Sequence, residues 1–229
     1  MFLSLTNSAI PIFPLIIVTG FLGGVILLAE ILNRLIASDV ELTRKVVHIG
    51  AGNVILFAWW FEIPAVIGIS AAAIAAIIAL LSYFFPILPS INSVGRKSLG
   101  TFFYALSIGI LVAFFFPEKP YYAAIGILTM AWGDGLAALV GQNFGRHPYQ
   151  VFGNKKSWEG SATMAGVSYL ISLLILLFVF GNHWQIWLIS LIIALFATSS
   201  EAISQWGIDN LTVPIASGSL SFFLISLWL

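Results

Sequence analysis

Asp134 is the first residue whose chemistry demands an explanation. It stands in Met130-Ala131-Trp132-Gly133-Asp134-Gly135, inside a long apolar run. A carboxylate at the centre of a membrane helix costs roughly 2.5–3.5 kcal/mol to insert. An acid in such a place faces a polar cavity, an ion or a cationic partner. A reactive group and a structural ion pair with Arg or His both meet that need. Ala137, Gly141 and Gly145 follow Asp134 at offsets of 3, 7 and 11, on one helical face. That face is small enough for a ligand, or for a second helix, to approach closely.

The chain then reads Gly153-Asn154-Lys155-Lys156-Ser157-Trp158-Glu159-Gly160. Two lysines, a hydroxyl and glycines supply the charge, donors and backbone access that a polyphosphate requires. The spacing is not that of a Walker A loop. Lysines in a loop also orient a membrane protein, but that role leaves Ser157, Glu159 and Gly160 unexplained. Arg44 and His48, four apart, share one side of a helix and are candidates for the same nucleotide, or anchors at the interface. Arg96-Lys97 invites the same two readings. Glu201 and Asp209-Asn210 border the last apolar run. Acids there do nothing for membrane orientation, so they are candidates for magnesium or for a phosphate site. His147 is placed to touch a nucleotide, and His183 lies in a short turn. There is no Cys, no Gly-x-Ser-x-Gly elbow, no His-Glu-x-x-His and no dinucleotide fingerprint.

The elements that position these residues are read from composition. The chain has 229 residues, 60% of them hydrophobic and only 8% charged; soluble domains carry roughly 25% charged residues. A soluble globule could not hide that surface, and a nucleic-acid binder would not be built this way. Apolar runs near 10–32, 46–61, 63–85, 99–116, 121–140, 161–180, 184–200 and 211–228 each approach the length that spans a bilayer. The first run is too long for the core of a signal peptide. The last contains Pro214, Ser217 and Gly218 and is expected to kink or break. Eight of the nine basic residues fall in the connections 33–45, 86–98, 141–160 and 201–210. Cytoplasmic loops are enriched in Lys and Arg, so both termini are expected outside and the polar equipment in the cytoplasm. The fold class is all-α: a polytopic integral membrane protein of about eight transmembrane helices, residues 1–229 forming one domain.

The motifs Arg44-Lys45-x-x-His48, Gly133-Asp134-x-x-Ala137-x-x-x-Gly141-x-x-x-Gly145, Lys156-Ser157-x-Glu159-Gly160 and Asp209-Asn210-x-x-x-Pro214 occur in this order. Together they resemble the polyprenol kinase family of phytol, farnesol and dolichol kinases. The short chain is most similar to the bacterial, cyanobacterial-type phytol kinase branch. The resemblance implies CTP as phosphoryl donor and an isoprenoid alcohol (phytol, geranylgeraniol or farnesol) as acceptor, in a bacterial cell or thylakoid membrane. With it, Lys155 and Lys156 are assigned to the phosphates, Lys156 also to catalysis. Gly141, Gly145, Ser157, Gly160, Arg44 and His48 are assigned to the nucleotide. Glu159, Glu201 and Asp209 are candidates to hold Mg²⁺, and Asp134 is either the base or a metal ligand. Two other classes could use the same charges: a CTP-dependent cytidylyltransferase of a lipid phosphate, and a transporter with Asp134 as ion site. Nearly bare outer loops speak against the transporter.

Overall fold

The computed structural model describes residues 11–35, 40–84 and 99–229. Asp39 and the connection 86–98, with Arg96 and Lys97, lie outside them. Among the described residues the chain forms eight helical spans. They are α1 (Ile12–Leu35), α2 (Val40–Trp60), α3 (Ala65–Phe84), α4 (Gly100–Phe115), a three-part span, α7 (Trp158–Phe180), α8 (Trp184–Ile203) and α9 (Asp209–Trp228). The three-part span is α5 (Pro120–Leu128), a π-helical turn (Thr129–Asp134) and α6 (Gly135–Phe144). Six of these spans are long and apolar enough to cross a membrane; α4 is shorter. α2 carries Glu41, Arg44 and Lys45 in its first two turns. The protein is an all-α polytopic membrane protein.

Local chemistry sets the ends of the spans. Pro120 opens α5, where a missing N–H costs nothing. α7 stops at Gly181, whose φ of +80° a residue with a side chain would resist. The three-part span is the centre of the bundle. Tyr122 to Leu128 are all buried, as are Met130 and Ala131, and α2, α4, α7 and α9 pack around α5. Between apolar helices in lipid, burial drives little, so close packing must supply the cohesion. Small residues permit it. Ser107, Ser168, Ser172, Ser190, Ser217 and Ser221 are fully buried along the helix contacts, and Ser172 Oγ donates to the Ser168 carbonyl at 2.8 Å.

Two features depart from the sequence reading. The last run is one unbroken helix, with Pro214 inside its second turn. A proline near a helix start removes few intrahelical bonds, and α5 packs along this stretch: a Cβ on Gly218 would lie 2.9 Å from the Tyr122 carbonyl oxygen. The stretch read as a long loop also contains an antiparallel hairpin, β1 (Pro148–Val151) with β2 (Asn154–Ser157), pairing Pro148 with Ser157 and Tyr149 with Lys156.

Gly126 of α5 faces the Pro214 carbonyl so closely that an added Cβ would strike backbone, which cannot move aside as a side chain can. Gly126→Leu is expected to destabilise the purified protein by about 1–3 kcal/mol, the usual cost of overpacking. A lowered thermal midpoint in detergent checks this; an unchanged midpoint contradicts the tight α5–α9 contact.

Candidate active site

Asp134 closes the π turn and is 9% exposed. Its partner comes from α2: Lys45 Nζ, itself buried, donates to Asp134 Oδ2 at 2.5 Å. His48 Nε2 lies 3.9 Å from the same oxygen and makes no hydrogen bond. Tyr104 of α4 packs its ring against the imidazole, centroids 4.1 Å apart, and donates its hydroxyl to the His48 carbonyl at 3.3 Å. Lys45, His48 and Gly52 are spaced by three and four residues, so one stripe of α2 faces the turn. The glycines flanking Asp134 let its neighbours close in. A Cβ on Gly133 would lie 2.7 Å from the Met164 sulfur, and one on Gly135 2.8 Å from the Ile49 side chain. π turns inside α-helices often occur at functional sites; here the turn aims one acid at α2 from a nearly closed interior.

A second pair lies on the hairpin side. Lys156 of β2 donates to the carboxylate of Glu201 near the end of α8, and also reaches the Glu201 carbonyl at 3.4 Å. Burial disfavours the charged Lys156, but the charge and hydrogen bond of Glu201 outweigh it, so the ammonium titrates above the ordinary lysine range. Asp209, at the start of α9, feels the charges of Asp134, Lys156 and Lys45. Arg44 forks onto Glu41 at 2.6 and 3.0 Å and feels both Asp134 and Asp209. Asp134, Glu201, Asp209, Arg44, His48 and Lys156 therefore share one end of the bundle with Lys45.

The other candidates go elsewhere. Side chains alternate along a strand, so β2 turns Lys156 inward and Lys155 outward, to an exposed position. Glu159 accepts from His147: Oε1 lies 2.6 Å from Nδ1 and Oε2 3.3 Å from the backbone nitrogen. That contact fastens the base of the hairpin to α7. Ser157 Oγ accepts from the Gly160 N–H at 3.1 Å and caps α7. Gly145 lies past the end of α6 in extended backbone, so the small helical stripe ends at Gly141. A Cβ on either Gly141 or Gly160 would lie 3.1 Å from Ser157 Oγ; these positions bring α6 and the start of α7 together. Among the described residues no three His, Asp or Glu side chains form a ready ligand set for a metal ion. Asp134, Glu159, Glu201 and Asp209 are thus not a preformed cage. His183 precedes α8 at the opposite end.

The sequence motif Arg44-Lys45-x-x-His48 contains Lys45 but gives it no role of its own, and Tyr104 is not singled out by the sequence at all. Lys45 also lies beside Arg44 in one of the basic connections that orient the chain. Its position three residues before His48 was the available signal. Tyr104 left no signal in an apolar run.

No family model matches the chain, and no solved structure does. Curated relatives do match. A phytol kinase of the cyanobacterium Synechocystis is 55% identical, over 91% of this chain and 90% of the relative. The chain belongs to the phytol kinase family. More distant members are a probable chloroplast phytol kinase of Triticum aestivum, 30% identical over 80% of this chain and 67% of the relative, and the chloroplast phytol kinase 1 of Arabidopsis thaliana, 28% identical over 86% and 71%. Membership makes the chain a kinase of an isoprenoid alcohol and sets aside the cytidylyltransferase and transporter readings.

Removing one partner of a buried ion pair strands the other charge and costs about 3–5 kcal/mol, whereas an apolar pair of similar volume is tolerated. Lys45→Met is therefore expected to destabilise the protein strongly, and Lys45→Met with Asp134→Leu to recover most of the loss. Thermal midpoints of the single and double variants measure this. Equal losses in both would mean that the pair does not form.

Proposed function

We propose that the protein phosphorylates phytol, taking the phosphoryl group from CTP in the presence of Mg²⁺, at the cytoplasmic face of a bacterial cell or thylakoid membrane. The observation that carries this reading is the pairing of two lysines, one buried and one half-buried, with two buried acids at one end of the bundle, Lys45 with Asp134 and Lys156 with Glu201. A lipid alcohol keeps its tail in the leaflet and its hydroxyl near the interface. A nucleotide arrives from water. The charged end of this bundle is where the two can meet, and the excess of Lys and Arg in the connections at that end supports a cytoplasmic location.

Phosphoryl transfer asks the protein for positioning and for neutralisation of charge spreading over the transferred group. Lys156 and Lys45 are the cations for the phosphate oxygens. Each is held in place by an acid, so little side-chain freedom remains to be lost. Arg44, forked on Glu41, adds a third cation at the rim. The donors suit magnesium: Asp134 and Asp209 offer hard oxygens, and Mg²⁺ is commonly held by one or two carboxylates together with substrate phosphates rather than by a full protein cage. When bound, the ion neutralises negative charge on the nucleotide. Asp134 and His48 flank the position where the alcohol hydroxyl is to be held and oriented for attack. Support for CTP comes from the ordered stretch from Asp134 to Gly160, which resembles the nucleotide-binding signature of the family.

Membranes containing the protein, incubated with phytol and CTP labelled at the γ-phosphate, should yield labelled phytyl monophosphate and CDP. Release of pyrophosphate, or equal use of ATP, would contradict the proposal. Lys156→Ala should lower nucleotide kcat/KM by about 10- to 150-fold, since a charge-assisted hydrogen bond is worth roughly 1.5–3 kcal/mol. Per-molecule rates on a sample whose thermal stability is also measured separate this loss from unfolding. A Lys155→Cys probe, clean in a chain without cysteine, should react with an impermeant reagent only after the cells are opened.

A further inference from the structure

Lys155 and two aromatic side chains stand outside the site described above. Phe152 and Gly153 form the two-residue turn of the hairpin, with φ of +46° and +87°. Trp206, in the α8–α9 connection, has φ of +63°. Gly or Asn would adopt these left-handed conformations at less cost than a bulky aromatic residue. Both rings are nonetheless displayed: Phe152 is 76% exposed and Trp206 83%. Strain retained at an exposed position points to a use for the side chain.

The two rings belong to one surface. Gln205 Nε2 donates to the Phe152 carbonyl at 2.5 Å, and Asn154 Nδ2 donates to the Ser204 carbonyl at 3.0 Å. The hairpin tip is thereby fastened to the α8–α9 connection, where Ile208 is also exposed, as is Ile203 at the end of α8. The height of this surface follows from α8. Its 20 residues rise about 30 Å, the thickness of the hydrocarbon layer. Residues 204–208 therefore emerge among the lipid headgroups, and the hairpin tip is held at that level. Lys155 is exposed beside the turn and Arg146 at the base of the hairpin. Aromatic rings with basic side chains are the chemistry of the headgroup layer, where anionic lipids attract Lys and Arg.

We propose that the hairpin tip and the α8–α9 connection form an interfacial anchor. Phe152 and Trp206 sit among the headgroups and upper acyl chains, and Lys155 and Arg146 lie against anionic headgroups. The anchor fixes β2, and with it Lys156, at the depth where the hydroxyl of a membrane-dissolved alcohol lies. It rests on the spanning helices and not on the choice of nucleotide.

The full chain, with Phe152→Cys or Trp206→Cys carrying an environment-sensitive fluorophore, is reconstituted in nanodiscs containing anionic lipid. A nitroxide quencher on shallow lipid positions should quench both labels strongly, and aqueous iodide weakly. Strong iodide quenching without lipid quenching would overturn the proposal, whatever the protein's activity. Phe152→Asn and Trp206→Asn should raise the thermal midpoint in detergent, because the backbone strain is relieved. In membranes they should raise the KM for the embedded alcohol severalfold and leave that for the nucleotide unchanged. Variants unchanged in both constants would also overturn it.

Discussion

A carboxylate in the interior of a helix bundle cannot stay ionised without a countercharge, and much of this structure answers that constraint. Asp134 takes its countercharge from Lys45, and both are nearly out of reach of solvent. For the two to meet, α2 must carry a lysine one turn and a half into its span, which makes it more charged than its neighbours. Gly133 and Gly135 must leave room for the side chains of Met164 on α7 and Ile49 on α2 to lie against the turn. The turn itself must open from α to π geometry so that Asp134 points inward while Trp132 remains partly exposed. A buried ion pair is a poor source of stability, because desolvating two charges consumes most of what their attraction returns. An apolar pair would hold the helices together as well. The charges are best understood through what they offer a reactant.

The second pair gives that offer a direction. Lys45 and Lys156 come from different elements, one from a membrane helix and one from the hairpin, and Asp209 feels both. Without a ligand, each lysine is matched by an acid. In the proposed reaction a polyphosphate brings several negative charges into this cluster and competes with Asp134 and Glu201 for the same ammonium groups. The acids are then released towards a cation or towards the alcohol. Such an arrangement is preorganised: the cations need not be gathered from flexible chains when the substrate arrives.

What the sequence made legible follows from which signals are local. Apolar runs and their spacing define spanning helices, and the eight described spans fall close to the eight runs. Asp134 was conspicuous because a lone acid in such a run is costly. Glu201 and Asp209 stood out because acids in basic connections have no orienting role. Other features depended on distant contacts. The partner of Asp134 lies 89 residues earlier, and no pattern along the chain joins the two. Pro214 was read as a breaker, yet packing against α5 accompanies a helix that runs through it. The hairpin strands have four residues each, too few for a period of two to declare itself. Glu159 matched a motif, but its oxygens are committed to His147, a histidine that the same reading had placed near the nucleotide.

The hairpin also changes the meaning of the adjacent lysines. In a loop, Lys155 and Lys156 would be two cations for one polyphosphate. In a strand they must point apart, because successive side chains leave opposite faces. Lys156 is turned to Glu201 and the interior, and Lys155 to the outside. A single register decides this, and it is set by a turn whose first residue, Phe152, is a poor choice for the backbone it adopts. A glycine or asparagine there would favour the same hairpin more strongly. The retention of an exposed phenylalanine, close to an exposed tryptophan in the same unfavourable conformation, places the demand on the outer surface and not on the turn. The element that delivers Lys156 to the buried acids is thus, on the proposed reading, gripped from the other side by the membrane interface, and the depth of the reacting groups is set by the layer in which the alcohol resides.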